Sequence, residues 1–253
     1  MKKLENKTVF ITGGLSGIGK VCAIAAAKQG ANIVIADMKS AESDETMQEI
    51  KKENSKAIFI ECDVSKFNQV EGTIQIAVDT FGTLDVALNN AGIGGTASKV
   101  GKMTEEAWLQ VININLNGVF NCMRHELAHM WKQKSGVIVN MSSVMGKVGF
   151  STSSHYVAAK HGVIGLTQTA ALEYATDGIR INAICPGFVD TPLLTKIGIN
   201  DREGAKQRII DLHPMKRLGK PEEIANGFIF LACDESSFIS GTTLEIDGGY
   251  LSE

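Results

Sequence analysis

Short apolar runs recur along the chain, each followed by a longer stretch of helical pattern. The first of them ends in a cluster of glycines, Thr12-Gly13-Gly14-Leu15-Ser16-Gly17-Ile18-Gly19. Continuous apolar strands separated by helices belong to a parallel sheet covered on both faces. The runs Thr8–Thr12, Asn32–Ala36, Ala57–Glu61, Leu84–Asn89, Val137–Met141, Arg180–Cys185 and Thr243–Ile246 read as strands. Helices are predicted over Gly17–Gln29, Ala41–Asn54, a segment ending at Phe81, Thr104–Gln133 with a break near Asn113, Tyr156–Thr176 and Pro221–Cys233. The expectation is one α/β domain over residues 1–253, a doubly wound parallel sheet of about seven strands. All four prolines (Pro186, Pro192, Pro214, Pro221) lie in the last third, so the first 185 residues carry no obligatory helix breaker. Phe188–Leu218 is the least regular stretch, and a loop that long inside a compact domain is usually a lid or binding loop.

Composition removes several function classes. A chain of 253 residues buries roughly 75% of its unfolded surface and needs no disulfide or metal to hold it. A net charge of −3 gives no electrostatic reason to bind nucleic acid or an anionic membrane. The five cysteines (Cys22, Cys62, Cys122, Cys185, Cys233) form no CxxC pair, so they read as packed thiols in a reducing compartment, and no metal site is expected. The opening residues lack an apolar leader, and no uncharged run approaches the roughly 18 residues of a membrane span. A cytoplasmic protein is the expectation.

Three local patterns carry chemistry. Glycines directly after a first strand let the backbone turn sharply and approach a pyrophosphate, which then faces the amino end of the following helix. Asp37 closes the second strand, where a carboxylate accepts hydrogen bonds from ribose hydroxyls and repels a 2′-phosphate. Ser16 and Met38 nearby are neutral, and Lys39 is the nearest cation in sequence. Tyr156 and Lys160 are four residues apart, so they share a helix face, and a cation close to a phenol favours the phenolate. Ser142 and Ser143 follow a buried strand, Ser143 thirteen residues before the tyrosine.

Taken in order, these patterns resemble the short-chain dehydrogenase/reductase family over nearly the whole chain. The resemblance extends through Cys62-Asp63-Val64, Asn89-Asn90-Ala91-Gly92, Asn115-Leu116-Asn117-Gly118, Pro186-Gly187 with Thr191, and Asp247-Gly248-Gly249. It implies a single Rossmann-type domain that binds NAD in preference to NADP. It implies an oxidoreductase that moves a hydride between that cofactor and a secondary alcohol or ketone. Tyr156 would be the general acid/base, Lys160 would lower its pKa and bond the nicotinamide ribose, and Ser143 would hold the substrate oxygen. Asn115 would hold a water linking Lys160 to solvent. Gly13, Leu15, Ser16, Gly17, Ile18 and Gly19 would cradle the pyrophosphate end, with Asp37 and Met38 at the ribose and Asp63 and Val64 at the adenine. Asn89, Ala91 and Gly92 would line the cleft, and Pro186, Gly187, Val189 and Thr191 would reach the nicotinamide.

On the substrate side the resemblance implies Ser143, Met145, Phe150, Phe188 and Leu193, with Ile93, Val144 and Leu194 beside them. His155, adjoining the tyrosine, is expected to face substrate. So apolar a set suggests a mostly apolar, cyclic substrate. Two other readings compete. One is an NADPH-dependent 3-oxoacyl-carrier ketoreductase, for which Lys132 and Lys134 would meet an acidic carrier. The other is a non-catalytic cofactor-sensing protein on the same fold, which the presence of Ser143, Tyr156 and Lys160 argues against. Thr191 to about Leu212 is expected to move on ligand binding. A homotetramer is expected, because Phe120, Met123, Leu127, Met130 and Trp131 form an apolar stripe on one helix and the Tyr156–Thr176 helix is apolar on more than one face.

Overall fold

The computed structural model describes residues 2–53, 56–196 and 204–252. The chain runs β1 (Thr8–Thr12), α1 (Gly17–Lys28), β2 (Asn32–Asp37), α2 (Ser43–Lys52), β3 (Ala57–Glu61), α3 (Phe67–Phe81) and β4 (Val86–Asn89). It continues through α4 (Glu105–Ile112), α5 (Gly118–Gln133), β5 (Gly136–Met141), α6 (Ser154–Glu173) and β6 (Ile179–Pro186). Then follow α7 (Pro192–Lys196), α8 (Ala205–Asp211), α9 (Pro221–Ala232) and β7 (Thr243–Ile246). The seven strands form one parallel sheet in the order β3-β2-β1-β4-β5-β6-β7.

Strand alternation divides the core into two layers. Val9 and Ile11 face one side with α1, α2 and α9, whereas Phe10 faces the other with α3, α5 and α6. Every residue of β1 is buried, as a strand covered on both faces requires. From β1 the chain builds outward to β2 and β3, then crosses back to place β4 on the other side of β1. That reversal opens a crevice at the carboxyl ends of β1 and β4, the position where doubly wound sheets bind ligands.

The segment predicted as Thr104–Gln133 is two helices joined by a π turn over Asn113–Asn117. The strand expected from Leu84 begins at Val86, and α6 starts two residues before Tyr156. The irregular stretch Phe188–Leu218 contains α7 and α8. Of the part expected to move, Thr191–Leu212, residues 197–203 lie outside the described residues. Among the described residues no helix is long and apolar enough to cross a membrane, and no group of three or more His, Cys, Asp or Glu is placed to hold a metal. All five cysteines are free and buried.

A polar seam crosses the core beneath the crevice. Asn89 Nδ2 donates to Glu126 Oε2 (3.0 Å) and to Asn140 Oδ1 (3.0 Å), and Asn140 Nδ2 donates to Thr167 Oγ1 (2.9 Å). Glu126 is 0% exposed. Burial pushes its carboxyl up to about 8, with the Asn89 bond opposing. The unfolded chain ionises a glutamate near pH 4.3, so folding takes up a proton between that pH and about 8. The contribution of Glu126 to stability is therefore fullest at acid pH, falls through this window and levels above it. Glu126→Gln removes the titration: we expect it to gain about 1–3 kcal/mol over the parent at pH 8.5 and almost nothing at pH 4.5, read by urea unfolding. A difference that does not change with pH would show that Glu126 is not held neutral.

Candidate active site

The turn after β1 is built almost wholly from backbone. Gly13 and Gly17 sit at φ +65° and +53°, where a side chain is strained. A Cβ on Gly19 would lie 2.1 Å from the Gly13 carbonyl oxygen, and one on Gly13 2.8 Å from Ala91 Cα. Helix α1 can therefore start hard against the strand it follows. Its N-cap Ser16 makes no side-chain cap bond, which leaves the first amides of α1 free to meet an anion. Thr12 Oγ1 accepts from the amides of Asn90 and Ala91 (both 3.0 Å), and Asn90 Nδ2 donates to the carbonyls of Thr12 (3.1 Å) and Gly13 (3.0 Å).

A cleft of about 390 Å³ opens over this turn. Gly13, Ser16, Gly17, Ile18, Asp37, Met38, Asp63, Val64, Ala91, Gly92 and Thr191 line it. Asp37 closes β2 well before α2, with its carboxylate held by the amides of Leu15 (to Oδ2, 3.0 Å) and Met38 (to Oδ1, 2.8 Å). Leu15 stands behind the cleft, contributing that amide. Gly19 is buried against Gly13, and Asn89 lies below in the polar seam. Asn90, one residue on, is the asparagine that reaches the cleft.

A second cavity of about 300 Å³ adjoins the first and shares Ile18, Asn90, Gly92, Thr191 and Leu193 with it. Ser143, Met145, Phe150, Tyr156, Lys160, Pro186, Gly187, Phe188, Val189 and Leu193 line it, so the expected cofactor-end and substrate-end residues meet in one space. Leu194 and Ile209 extend its apolar wall. Two adjacent serines leave β5 with different tasks. Ser142 Oγ donates to the Lys160 carbonyl (2.9 Å), whereas Ser143 Oγ accepts from the Met145 amide (3.1 Å) and lies close enough to Tyr156 to favour its phenolate. Lys160 Nζ donates to the Met141 carbonyl (2.6 Å) and lies 5.5 Å from the centre of the Tyr156 ring.

Burial dominates the ionisation of this pair. It pushes the Tyr156 phenol up to about 12, with Ser143 opposing, and the Lys160 ammonium down to about 8. The sequence expectation that Lys160 lowers the tyrosine needs this adjustment. The ammonium donates to the Met141 carbonyl and sits beside the ring, and burial is the largest influence on the phenol. Asn115, 0% exposed in the π turn, accepts from the Ile93 amide (2.9 Å) and donates to the Ile93 carbonyl (2.8 Å). Both polar atoms of its side chain thus hold the loop after β4.

His155 does not line the cavity. It is 1% exposed, its Nε2 lies 3.2 Å from the Thr96 carbonyl oxygen, and its Nδ1 accepts from the Tyr156 amide (2.8 Å). The ring ties the glycine-rich wall Gly94–Gly95 to the start of α6 from behind. Sequence reasoning missed Asn90, Gly94, Gly95 and Ile209 as lining residues. Asn89 is buried in the polar seam whereas Asn90 lines the cleft, and local spacing does not separate the two.

The profile of the family described as enoyl-(acyl carrier protein) reductase matches residues 13–251. Cyclohexanol dehydrogenase of Acinetobacter sp. (strain SE19) is 40% identical over 251 residues, covering 99% of this chain and 97% of that protein. The chain belongs to the short-chain dehydrogenase/reductase family. As a member it is an oxidoreductase. A 3-oxoacyl-[acyl-carrier-protein] reductase of Thermotoga maritima is 42% identical over 247 residues, covering 98% of each chain. The structure of an NAD+-bound xylitol dehydrogenase superposes with a TM-score of 0.93 at 31% identity, covering 98% of this chain and 100% of that one. Relatives of such different substrates at nearly equal identity mean that overall similarity does not select a substrate; the cavity must.

Proposed function

We propose that the protein interconverts a neutral secondary alcohol and its ketone with NAD(H), and that the substrate is compact and largely apolar. The observation that carries the reading is the continuity of the two cavities: a nucleotide cleft with Asp37 at one end opens, through Ile18, Asn90, Gly92, Thr191 and Leu193, into an apolar chamber that holds Ser143, Tyr156 and Lys160. The cradle that side chains on Gly13 or Gly19 would fill fits a dinucleotide. The residues that would hold it are the Gly13–Gly19 turn, Asp37 and Met38, Asp63 and Val64, Ala91 and Gly92, Pro186–Val189 and Thr191, with Lys160 and Tyr156 at the reacting end. When bound, NAD(H) accepts or supplies the hydride.

The chain's own residues handle the proton and the oxygen. Ser143 donates to the substrate oxygen and stabilises charge gathering there. In the oxidation direction Tyr156 Oη takes the alcohol proton as the phenolate and becomes the phenol; in reduction the phenol gives that proton to the carbonyl oxygen and becomes the phenolate. The Lys160 ammonium, close to the tyrosine, favours the phenolate as the proton leaves. A water relay through Asn115 would have to use its backbone, since its side chain is engaged with Ile93. The apolar wall of Met145, Phe150, Phe188, Leu193, Leu194 and Ile209 excludes water and offers nothing to a charged substrate.

The carrier-linked reading has less support. Lys134 pairs with Asp177 (2.7 Å) and lies 4.5 Å over the Trp131 ring. With Lys132 it sits where α5 leads into β5, at the amino edge of the sheet and away from the cavity. For assembly, Met123, Leu127 and Met130 belong to the chain's own core, so the expected stripe narrows to Phe120 and Trp131. Trp108 and Leu109 on α4 and Leu172 on α6, the last 82% exposed, are further apolar side chains at the surface, and a tetramer would cover such groups.

Three outcomes test these proposals. Tyr156→Phe keeps the ring but has no transferable proton, so kcat should fall 10²–10⁴-fold while Kd for NAD stays within about twofold; near-parental turnover would remove Tyr156 from the chemistry. Asp37 beside a 2′-phosphate costs on the order of 1–4 kcal/mol, so kcat/KM should favour NAD over NADP by roughly tenfold or more. Equal use of NADP, above all with a 3-oxoacyl thioester, would favour the carrier-linked reading. Light scattering at micromolar concentration should return four times the chain mass of 27.1 kDa; a single-chain particle would defeat the tetramer.

A further inference from the structure

His213 takes no part in the chemistry described above, yet two residues of the cavity wall are bonded to it. It follows α8 and is 1% exposed. Its Nδ1 lies 2.9 Å from the Ile209 carbonyl oxygen, and its Nε2 lies 3.1 Å from the Phe188 backbone nitrogen. A carbonyl only accepts, so Nδ1 carries a proton; an amide N–H only donates, so Nε2 is bare. The neutral Nδ1–H ring alone satisfies both partners.

The ring is also packed on three sides. It meets Phe188 edge-on at 5.7 Å and 82°, and Tyr250 at 5.5 Å. A Cβ on Gly187 would lie 2.8 Å from Nε2, so this glycine is what lets the ring reach the loop after β6. His213 thereby joins that loop, the end of α8 and the C-terminal turn. Phe188 and Ile209 line the apolar chamber, whereas His213 itself lines neither cavity.

We propose that His213 is a positioning residue that sets the width of the substrate chamber by fixing Phe188 against Ile209, and so selects compact alcohols over extended ones. This rests on the reading that the chamber takes a neutral alcohol or ketone. Two backbone groups held by one planar ring leave the Phe188 wall little room to retreat. Loss of the ring's two bonds leaves the Phe188 backbone held only at its carbonyl, by the Gly219 amide (2.9 Å), and so loosens that wall without touching Tyr156, Lys160 or Asp37.

His213→Phe keeps an aromatic ring between Phe188 and Tyr250 but neither accepts nor donates; His213→Gln keeps one acceptor and one donor. We expect His213→Phe to raise KM for cyclohexanol about fivefold, with kcat and the KM for NAD within twofold. We expect it to lower the kcat/KM preference for cyclohexanol over 2-octanol by about fivefold, and His213→Gln to recover most of both losses. Unchanged selectivity in His213→Phe would overturn the proposal. So would a KM for NAD that rises in step with that of the alcohol, or a Gln variant as impaired as the Phe variant. Kd values for the same two alcohols, from NMR titration of parent and variants, give the preference without turnover. A parent that oxidises neither alcohol fails the functional reading, and the Kd ratio still decides the role of His213. Imidazole nitrogen shifts of the parent must show an Nδ1–H ring at pH 7.5, and an Nε2–H ring would sink the brace outright.

Discussion

Thr12 and Asn90 bind the carboxyl ends of the first and fourth strands to each other through four hydrogen bonds. The two strands diverge in the connections they make, one toward β2 and β3, the other toward β5, β6 and β7. Without the join the crevice between their ends would be set only by the sheet's twist. With it, the glycine turn, the loop after β4 and the floor of both cavities are held in one frame. Asn115 extends that frame by gripping Ile93, so the π turn in the α4–α5 arm serves as an anchor.

The electrostatics of the reacting end follow from the same burial that makes the frame rigid. A phenol pushed up and an ammonium pushed down are both moved toward their neutral forms, as a low-dielectric pocket requires. The short bond from Lys160 to the Met141 carbonyl (2.6 Å) holds the ammonium beside the Tyr156 ring.

Most of the fold was legible because its signals are local. Apolar runs of strand length, glycines at a strand end and a tyrosine four residues before a lysine all act within one or two turns of chain. Asp37 could be placed for the same reason: it ends a strand whose neighbour carries the glycine turn. What stayed hidden depends on packing between distant segments. Asn89 and Asn90 are adjacent, and only the depth of β4 in the sheet decides which emerges. His155 precedes the tyrosine but turns inward, because the Thr96 carbonyl is there to receive it. Leu193 belongs to both cavities, a fact no spacing encodes. The stripe on α5 divides between core and surface according to how α3 and the sheet cover it, which periodicity alone does not reveal.

The two cavities are made of different material. The nucleotide end is shaped by main chain, at positions where Gly13 and Gly19 have no room for even a methyl group. The far end is shaped by side chains, Phe150, Phe188, Leu194 and Ile209, each of which a single base change can enlarge or shrink. Drift in sequence is thus blocked where the hydride carrier would sit and permitted where the alcohol would sit. A lineage built on this frame can exchange its substrates repeatedly while its reaction stays the same.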